Sequence, residues 1–304
     1  SLVCAKVPPE SDNPLPSLTA SHVVVVAGTG GVGKTTVTAV IARAAADAGR
    51  RVLVVELDGK PALDELLPAI EVRHLSAPEL LDEYLRDHGF RRIAKRLNKT
   101  GIIDLIGTAA PGIDDVVVLG KVKQLARDGT WDLIVVDGPA AGHAITFLTS
   151  ARGLGEAARG GPVKSQADEV LDLLHDRERF QTVLVTLPET TPVNELVETA
   201  FALEEDVGIR LGPVVVNHVD TGVPLPATAS AAGAVDDAPD LIAAFEFRSA
   251  RRLMESEELA RLSEQLPLRQ VWIPMQPVAG LRAADIEALA ARLCFARLDG
   301  AAVP

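Results

Sequence analysis

Gly28-Thr-Gly-Gly-Val-Gly-Lys-Thr-Thr36 contains the parts needed to hold a polyphosphate. Glycines at 28 and 33 let the backbone curl until successive N–H groups face the phosphates, with Thr29, Gly30, Gly31, Val32 and Thr36 completing the cradle. Lys34 adds a point charge for the β- and γ-phosphates, and Thr35 offers a hydroxyl to Mg2+. A glycine-rich turn with a solvated lysine is the plain alternative. Against it, Val23 to Val26 form an apolar run before the loop and an alanine-rich, helix-forming stretch follows, so the loop opens a helix whose N-terminus favours anions.

Phosphoryl transfer to water also needs charge neutralisation, an aligned water and a sensor of the γ-phosphate. Asp137 ends the apolar run Leu133-Ile-Val-Val, where an acid holds Mg2+ through its water shell. Asp58 closes the strand after the phosphate loop and is placed to orient or deprotonate the attacking water; Glu56, two residues earlier on the same strand side, competes for that assignment. Gly138-Pro-Ala-Ala-Gly-His143 reads as a movable loop able to present a backbone N–H, that of Gly138 first, to the γ-phosphate. His143 is open between a catalytic part and a helix-cap or structural one. Asn217, ending Val-Val-Val-Asn, carries the amide donor and acceptor needed to read a base edge, and serves equally as a turn former.

The elements that must position these groups alternate between strand and helix. Val37 to Ala48 predicts a helix closed by Gly49 at a left-handed cap. Arg51 to Asp58, Leu133 to Asp137, Thr182 to Leu187, Pro213 to Asn217 and Gln270 to Pro274 are apolar runs of the kind found in parallel strands buried on both faces. The stretch from Asp58 to Trp131 is poor in strands; Leu80, Leu81, Tyr84, Leu85, then Ile102, Ile103, Leu105 and Ile106 recur at helical spacing, predicting a helical insertion over about 60–130. Its apolar residues are open between lining a groove and packing on the sheet. Gly153 to Lys164 reads as a glycine-dense connection before a helix from Ser165 to Arg179, and Thr221 to Asp240 as a flexible excursion. Residues 1–20, with four prolines, resemble neither a signal peptide nor a helix and read as a mobile tail ahead of one domain, 21–304.

Composition narrows the classes. The 304 residues are 47% hydrophobic and 24% charged, without an uninterrupted apolar stretch near the roughly 18 residues a membrane span requires, so no integral membrane segment is expected. A net charge of −12 disfavours a sequence-independent grip on nucleic acid or anionic lipid. Arg86, Arg91, Arg92, Lys95, Arg96 and Lys99 form a local exception, read as a solvated helix face or as a basic patch. Two cysteines, Cys4 and Cys294, supply neither a disulfide framework nor a zinc clamp and suit a reducing cytoplasm.

Taken in order, the loop with paired central glycines, Asp58, Asp137-Gly-Pro-Ala-Ala-Gly-His143, Asn217 and Pro274-Met-Gln-Pro-Val-Ala-Gly-Leu281 resemble the ArsA-type ATPases from about His22 to Leu293. The Asp-x-x-x-x-Gly-His spacing separates this branch from septum-site and chromosome-partition ATPases. The resemblance implies an α/β, doubly wound, mainly parallel sheet of the P-loop NTPase type. It implies ATP or ADP with Mg2+, Asp58 in a first switch, Asp137 on Mg2+, and Gly138 to His143 as a second switch. It assigns Asn217 to adenine, and Pro274, Met275, Gln276 and Pro277 to a loop around the base. Gly160 to Asp168 and Ala110 to Asp115 resemble a mainly actinobacterial subgroup.

Family members close face to face as dimers or fused pseudodimers, so the resemblance implies a homodimer or a heterodimer with an ArsA-type paralogue, handling a protein client. This sequence departs in three places. The first switch reads Asp58-Gly-Lys-Pro-Ala, Ala141 replaces a threonine, and Thr29 stands where a family lysine reaches the partner's phosphates. The lysine's absence opens a second expectation, a nucleotide-gated regulatory subunit with weak turnover paired with a lysine-bearing paralogue. A partition or division-site ATPase is a third; it requires DNA binding or a basic amphipathic end, and the predicted terminal helix, Ala283 to Arg297, mixes acids and bases.

Overall fold

The computed structural model describes residues 13–57, 62–87, 112–158, 160–223, 225 and 239–296. Seven strands form one sheet in the order β3-β2-β4-β1-β5-β6-β7, and every pairing between them is parallel. They are β1 (Val23–Gly28), β2 (Val52–Leu57), β3 (Glu71–Leu75), β4 (Leu133–Ala140), β5 (Phe180–Thr186), β6 (Val214–Val219) and β7 (Gln270–Pro274). All of β1 is buried because it lies between β4 and β5 with helices over both faces. Alternate residues of one strand therefore enter different cores: Val23 and Val25 one, Val24 and Val26 the other.

The first core is covered by α4 (Ala77–Asp87), α5 (Ile113–Arg127), α6 (Ala141–Ala157), α7 (Pro162–His175), α8 (Thr190–Ala202) and α9 (Pro239–Gln265). The second is covered by α1 (Leu15–Leu18), α2 (Lys34–Asp47), α3 (Ala62–Leu66) and α10 (Ala283–Ala290). Gly49 takes the left-handed conformation (φ 84°) just past α2, as the sequence predicts.

The structure differs from the sequence expectations in several places. Residues 13–20 do not form a free tail: Leu18 is fully buried, and Gln181 Nε2 donates to the carbonyls of Ser17 and Leu18 at 3.2 and 2.6 Å. Glu71 to Leu75, inside the region read as helical, forms edge strand β3, which pairs with β2 alone. Gly153 and Gly155 continue α6 rather than breaking it; a Cβ at Gly155 would meet Ala167 of α7 at an ordinary 3.6 Å and one at Gly153 would meet nothing within 4 Å, so neither glycine marks a turn. Gly138 to His143 is no loop: β4 runs to Ala140 and α6 starts at Ala141. A Cβ on Gly138 would stand 2.6 Å from the Val26 carbonyl, so its glycine answers to strand packing. The terminal helix ends at Ala290, short of the predicted Arg297. Residues 1–12, the basic residues from Arg91 to Lys99, the apolar run Ile102 to Ile106, and 226–238 of the predicted excursion lie outside the described residues.

Polar contacts fasten α9 to the end of β6. Arg248 grips Asp220 with Nε at 2.7 Å and Nη2 at 2.8 Å, while the Asp220 N–H donates to Glu255 at 3.0 Å. The hydrogen bonds from Arg248 hold the Asp220 carboxyl down at about 2. A carboxylate depressed by folding stabilises above its unfolded value of about 4, and that contribution is lost as pH falls toward the folded value. Asp220→Asn is expected to lower stability at pH 7 by about 1 kcal/mol and to flatten the loss between pH 4 and 2, measured by urea melts across that range. An unchanged acid limb would contradict this reading of the pair.

Candidate functional site

At the carboxyl ends of β1, β2 and β4 the sequence brings a cation, two hydroxyls and two acids together. The loop after β1 bends through Gly31 (φ 83°) and Gly33 (φ 89°), both left-handed, and Gly33 caps α2. This bend aims the first N–H groups of α2 out of the loop. Lys34 folds back so that Nζ donates to the carbonyls of Gly28 (3.2 Å) and Thr29 (3.1 Å). Burial lowers its pKa from the ordinary lysine value, with Asp137 opposing.

Asp137 accepts hydrogen bonds from Thr35 Oγ1 at 2.8 Å and Thr38 Oγ1 at 3.2 Å. Strand β4 and helix α2 are thereby joined at the residues assigned to the metal. Thr38 was not singled out from sequence, although it follows Thr35 by three positions and so shares its helix face. Thr29 is half-buried in the loop and brings no cation.

Glu56 stands beside Asp137 in the β2–β4 ladder and is 3% exposed. Burial pushes its carboxyl up, His74 opposes and Asp137 adds to the rise. It accepts the Leu63 N–H, while its Oε2 is buried without a hydrogen bond and has the His74 ring 2.7 Å away. Asp58, its competitor for the water, lies outside the described residues.

Asn217 lies beneath the loop, where its Nδ2 donates to the Val32 carbonyl at 2.9 Å. Its Oδ1 is buried without a partner among the described residues, a costly arrangement that an incoming donor, such as an exocyclic amine, would relieve. The ladder shifts register between Val216 and Val219, and His218 within it has a φ of 60°, a strained value for a non-glycine. That bulge leaves Asn217 buried and His218 exposed. Val219 pairs with Pro274 and accepts the Met275 N–H at 3.0 Å; Gln276 turns back onto the Pro274 carbonyl at 3.2 Å, with Pro277 following. Asn217 and residues 274–277 thus sit on neighbouring strand ends.

His143 occupies the first turn of α6, exposed at the rim of a cavity of about 240 Å³ shared with Leu57, Leu75, Asp115 and Pro139. Burial, with Asp114 adding, pushes the Asp115 carboxyl up to about 6 against the pull of His143. Sequence reasoning did not single out Asp115 or His74. Among the described residues no cluster of His, Cys, Asp and Glu side chains could hold a metal by itself, and no helix is long and apolar enough to cross a membrane.

Residues 21–159 match the family model described as anion-transporting ATPase. The chain is similar to ATPase BagA of Mycobacterium tuberculosis, 33% identical over 219 residues that span 64% of each protein. It is similar to an arsenical pump-driving ATPase of Escherichia coli, 30% identical over 212 residues, 66% of this chain and 36% of that protein. A protein of the same description from Acidiphilium multivorum is 28% identical over 212 residues, with the same 66% and 36% shares. The chain thus matches just under two thirds of the mycobacterial protein's length and about a third of the two pump-driving proteins'.

The loop's crowding makes two glycines inequivalent. A Cβ on Gly33 would fall 2.2 Å from Asn217 Nδ2 at a left-handed φ, whereas one on Gly30 meets nothing within 4 Å. Gly33→Ala is expected to destabilise the ligand-free protein by about 1–3 kcal/mol and Gly30→Ala by less than about 0.5, compared by thermal melts. Equal effects would overturn the close fit of Asn217 beneath the loop.

Proposed function

We propose that the chain is an ArsA-type ATPase, as the match of residues 21–159 to that family's model supports, and that it binds Mg-ATP and hydrolyses it to drive opening and closing of a dimer that handles a protein client. The observation that carries the reading is the Thr35–Asp137 hydrogen bond at the foot of the phosphate loop, beside Lys34. It sets a hydroxyl and a carboxylate together where Mg2+, when bound, would neutralise phosphate charge.

In this reading the N–H groups of residues 28–36 and the Lys34 ammonium hold the phosphates. Thr35 and Asp137 hold the metal, Asp58 orients water, and the Gly138 N–H meets the γ-phosphate. Asn217 Oδ1, the buried acceptor without a donor, suits an adenine amine, and residues 274–277 flank the base. Asp58 receives the water because Glu56 is buried among β2, β3 and α3, out of reach of solvent. A metalloid cargo fits poorly: Cys4 and Cys294 are the chain's only thiols, too few for a three-thiolate site.

Thr29 favours a second reading. Without a lysine there, a homodimer has no such cation to extend across its interface, whereas a heterodimer with a lysine-bearing paralogue supplies one to this chain's nucleotide. The protein is then a nucleotide-gated subunit with weak turnover of its own.

Lys34→Ala is expected to weaken Mg-ATP binding by about tenfold or more, and Thr35→Ala to remove most of the difference between binding with Mg2+ and with chelator, both read by calorimetry. Unchanged binding in Lys34→Ala would sink the ATPase reading. Steady-state hydrolysis by wild type and Thr29→Lys, alone and with a co-purified paralogue, separates the two readings. The regulatory one expects low lone turnover that Thr29→Lys raises by about tenfold or more; brisk lone turnover that the lysine leaves unchanged defeats it.

A further inference from the structure

One imidazole on the sheet edge touches a carboxylate on either side of the segment that carries Asp58. His74 of β3 stands beside Glu56 in the ladder, with Nδ1 2.7 Å from Glu56 Oε2 and Nε2 2.9 Å from Asp64 Oδ2. The two contacts differ in kind. The one to Asp64 has hydrogen-bond alignment, whereas the one to Glu56 is a close charge contact without it. The ring thus has one nitrogen against each acid.

The inner and outer contacts also differ in solvation. The Glu56 side chain is 4% exposed, the Asp64 side chain 49% and the His74 side chain 39%. Solvent screens the outer contact, whereas the inner one sets a ring nitrogen against a desolvated carboxylate with little other polar company. Glu56 also accepts the Leu63 N–H, so one buried acid is tied both to β3 and to the start of α3.

The fold does not depend on this arrangement. Leu63 is fully buried and Leu67 nearly so, which anchors α3 in the second core, and β3 is held to β2 by five ladder positions. What the imidazole adds is a fixed spacing between the end of β2 and the first turn of α3. Asp58 is attached between those two points, and the ladder partner of Glu56 on the other side is Asp137.

We infer that His74 is a positioning residue of the ATP-hydrolysing site, acting through Glu56 and Asp64 to set where the chain on either side of Asp58 is held. The inference rests on the hydrolytic reading above. It bears on turnover more than on binding, because the phosphate loop and Asn217 lie on β1, α2 and β6 and the brace meets them only where Glu56 neighbours Asp137.

The test uses full-length His74→Ala and His74→Arg, the second because a guanidinium offers donors to two carboxylates at once. His74→Ala is expected to lower kcat about fivefold or more while the Kd for Mg-ATP stays within about threefold, and His74→Arg to recover most of kcat. Full kcat in His74→Ala, or no recovery in a His74→Arg protein whose thermal melt matches wild type, overturns the inference. Hydrogen exchange of the peptide covering 62–67, without nucleotide, provides a readout independent of hydrolysis. It is expected to quicken about threefold or more in His74→Ala and not in His74→Arg; an unchanged rate overturns the brace. Should wild type itself fail to hydrolyse ATP, the hydrolytic reading falls, and the exchange data alone decide whether His74 fixes α3.

Discussion

The hydrogen bonds from Thr35 and Thr38 to the Asp137 carboxylate connect the two halves of the site. One partner is at the carboxyl end of a central strand and the other in the first turns of the helix that the phosphate loop opens. Moving either element would leave a half-buried carboxylate short of its donors, and so the relative placement of β4 and α2 is narrowly set. The parallel sheet supports the same geometry. With β1 between β4 and β5, both edges of the loop's parent strand are used, and the loop has little freedom to shift.

Much of this was legible in the sequence because burial on both faces writes an unbroken apolar run. β1, β2, β4, β5, β6 and β7 all carry that signature, and each was found within a few residues. β3 carries none. Glu71-Val-Arg-His-Leu75 is an edge strand with one neighbour, so three of its five side chains are exposed and its apolar content is low. Gly153 and Gly155 misled in the opposite sense: glycine lowers helix propensity without forbidding a helix, and α6 runs through both. The buried Leu18 is a long-range outcome that no local pattern announces.

Among the site residues, the phosphate loop, Asp137 and Asn217 were readable because each ends an apolar strand or follows one. Thr38, His74 and Asp115 were not, for a shared reason. Each acquires its role from a residue distant in the chain: Asp137 for Thr38, Glu56 for His74, His143 for Asp115. Of the two acids competing for the water, Glu56 has its burial and neighbouring imidazole on view, and neither was legible in the sequence. The electrostatics follow the same geography. Lys34 and Glu56 are both displaced chiefly by loss of water, one downward and one upward, so the neutral form of each gains ground in the same small volume.

Strand β4 passes directly into α6 without an intervening turn, and Gly138 lies just before that passage, against the backbone of β1. A turn would absorb a small displacement through its own dihedral angles. A seamless strand-to-helix junction has no such slack, and α6 runs 17 residues, about 25 Å at the usual rise. Any tilt imposed at Gly138 is therefore delivered to the far end of α6 as a lever arm delivers it, enlarged with distance. The molecule thus has a mechanical advantage built into the place where its nucleotide chemistry would begin.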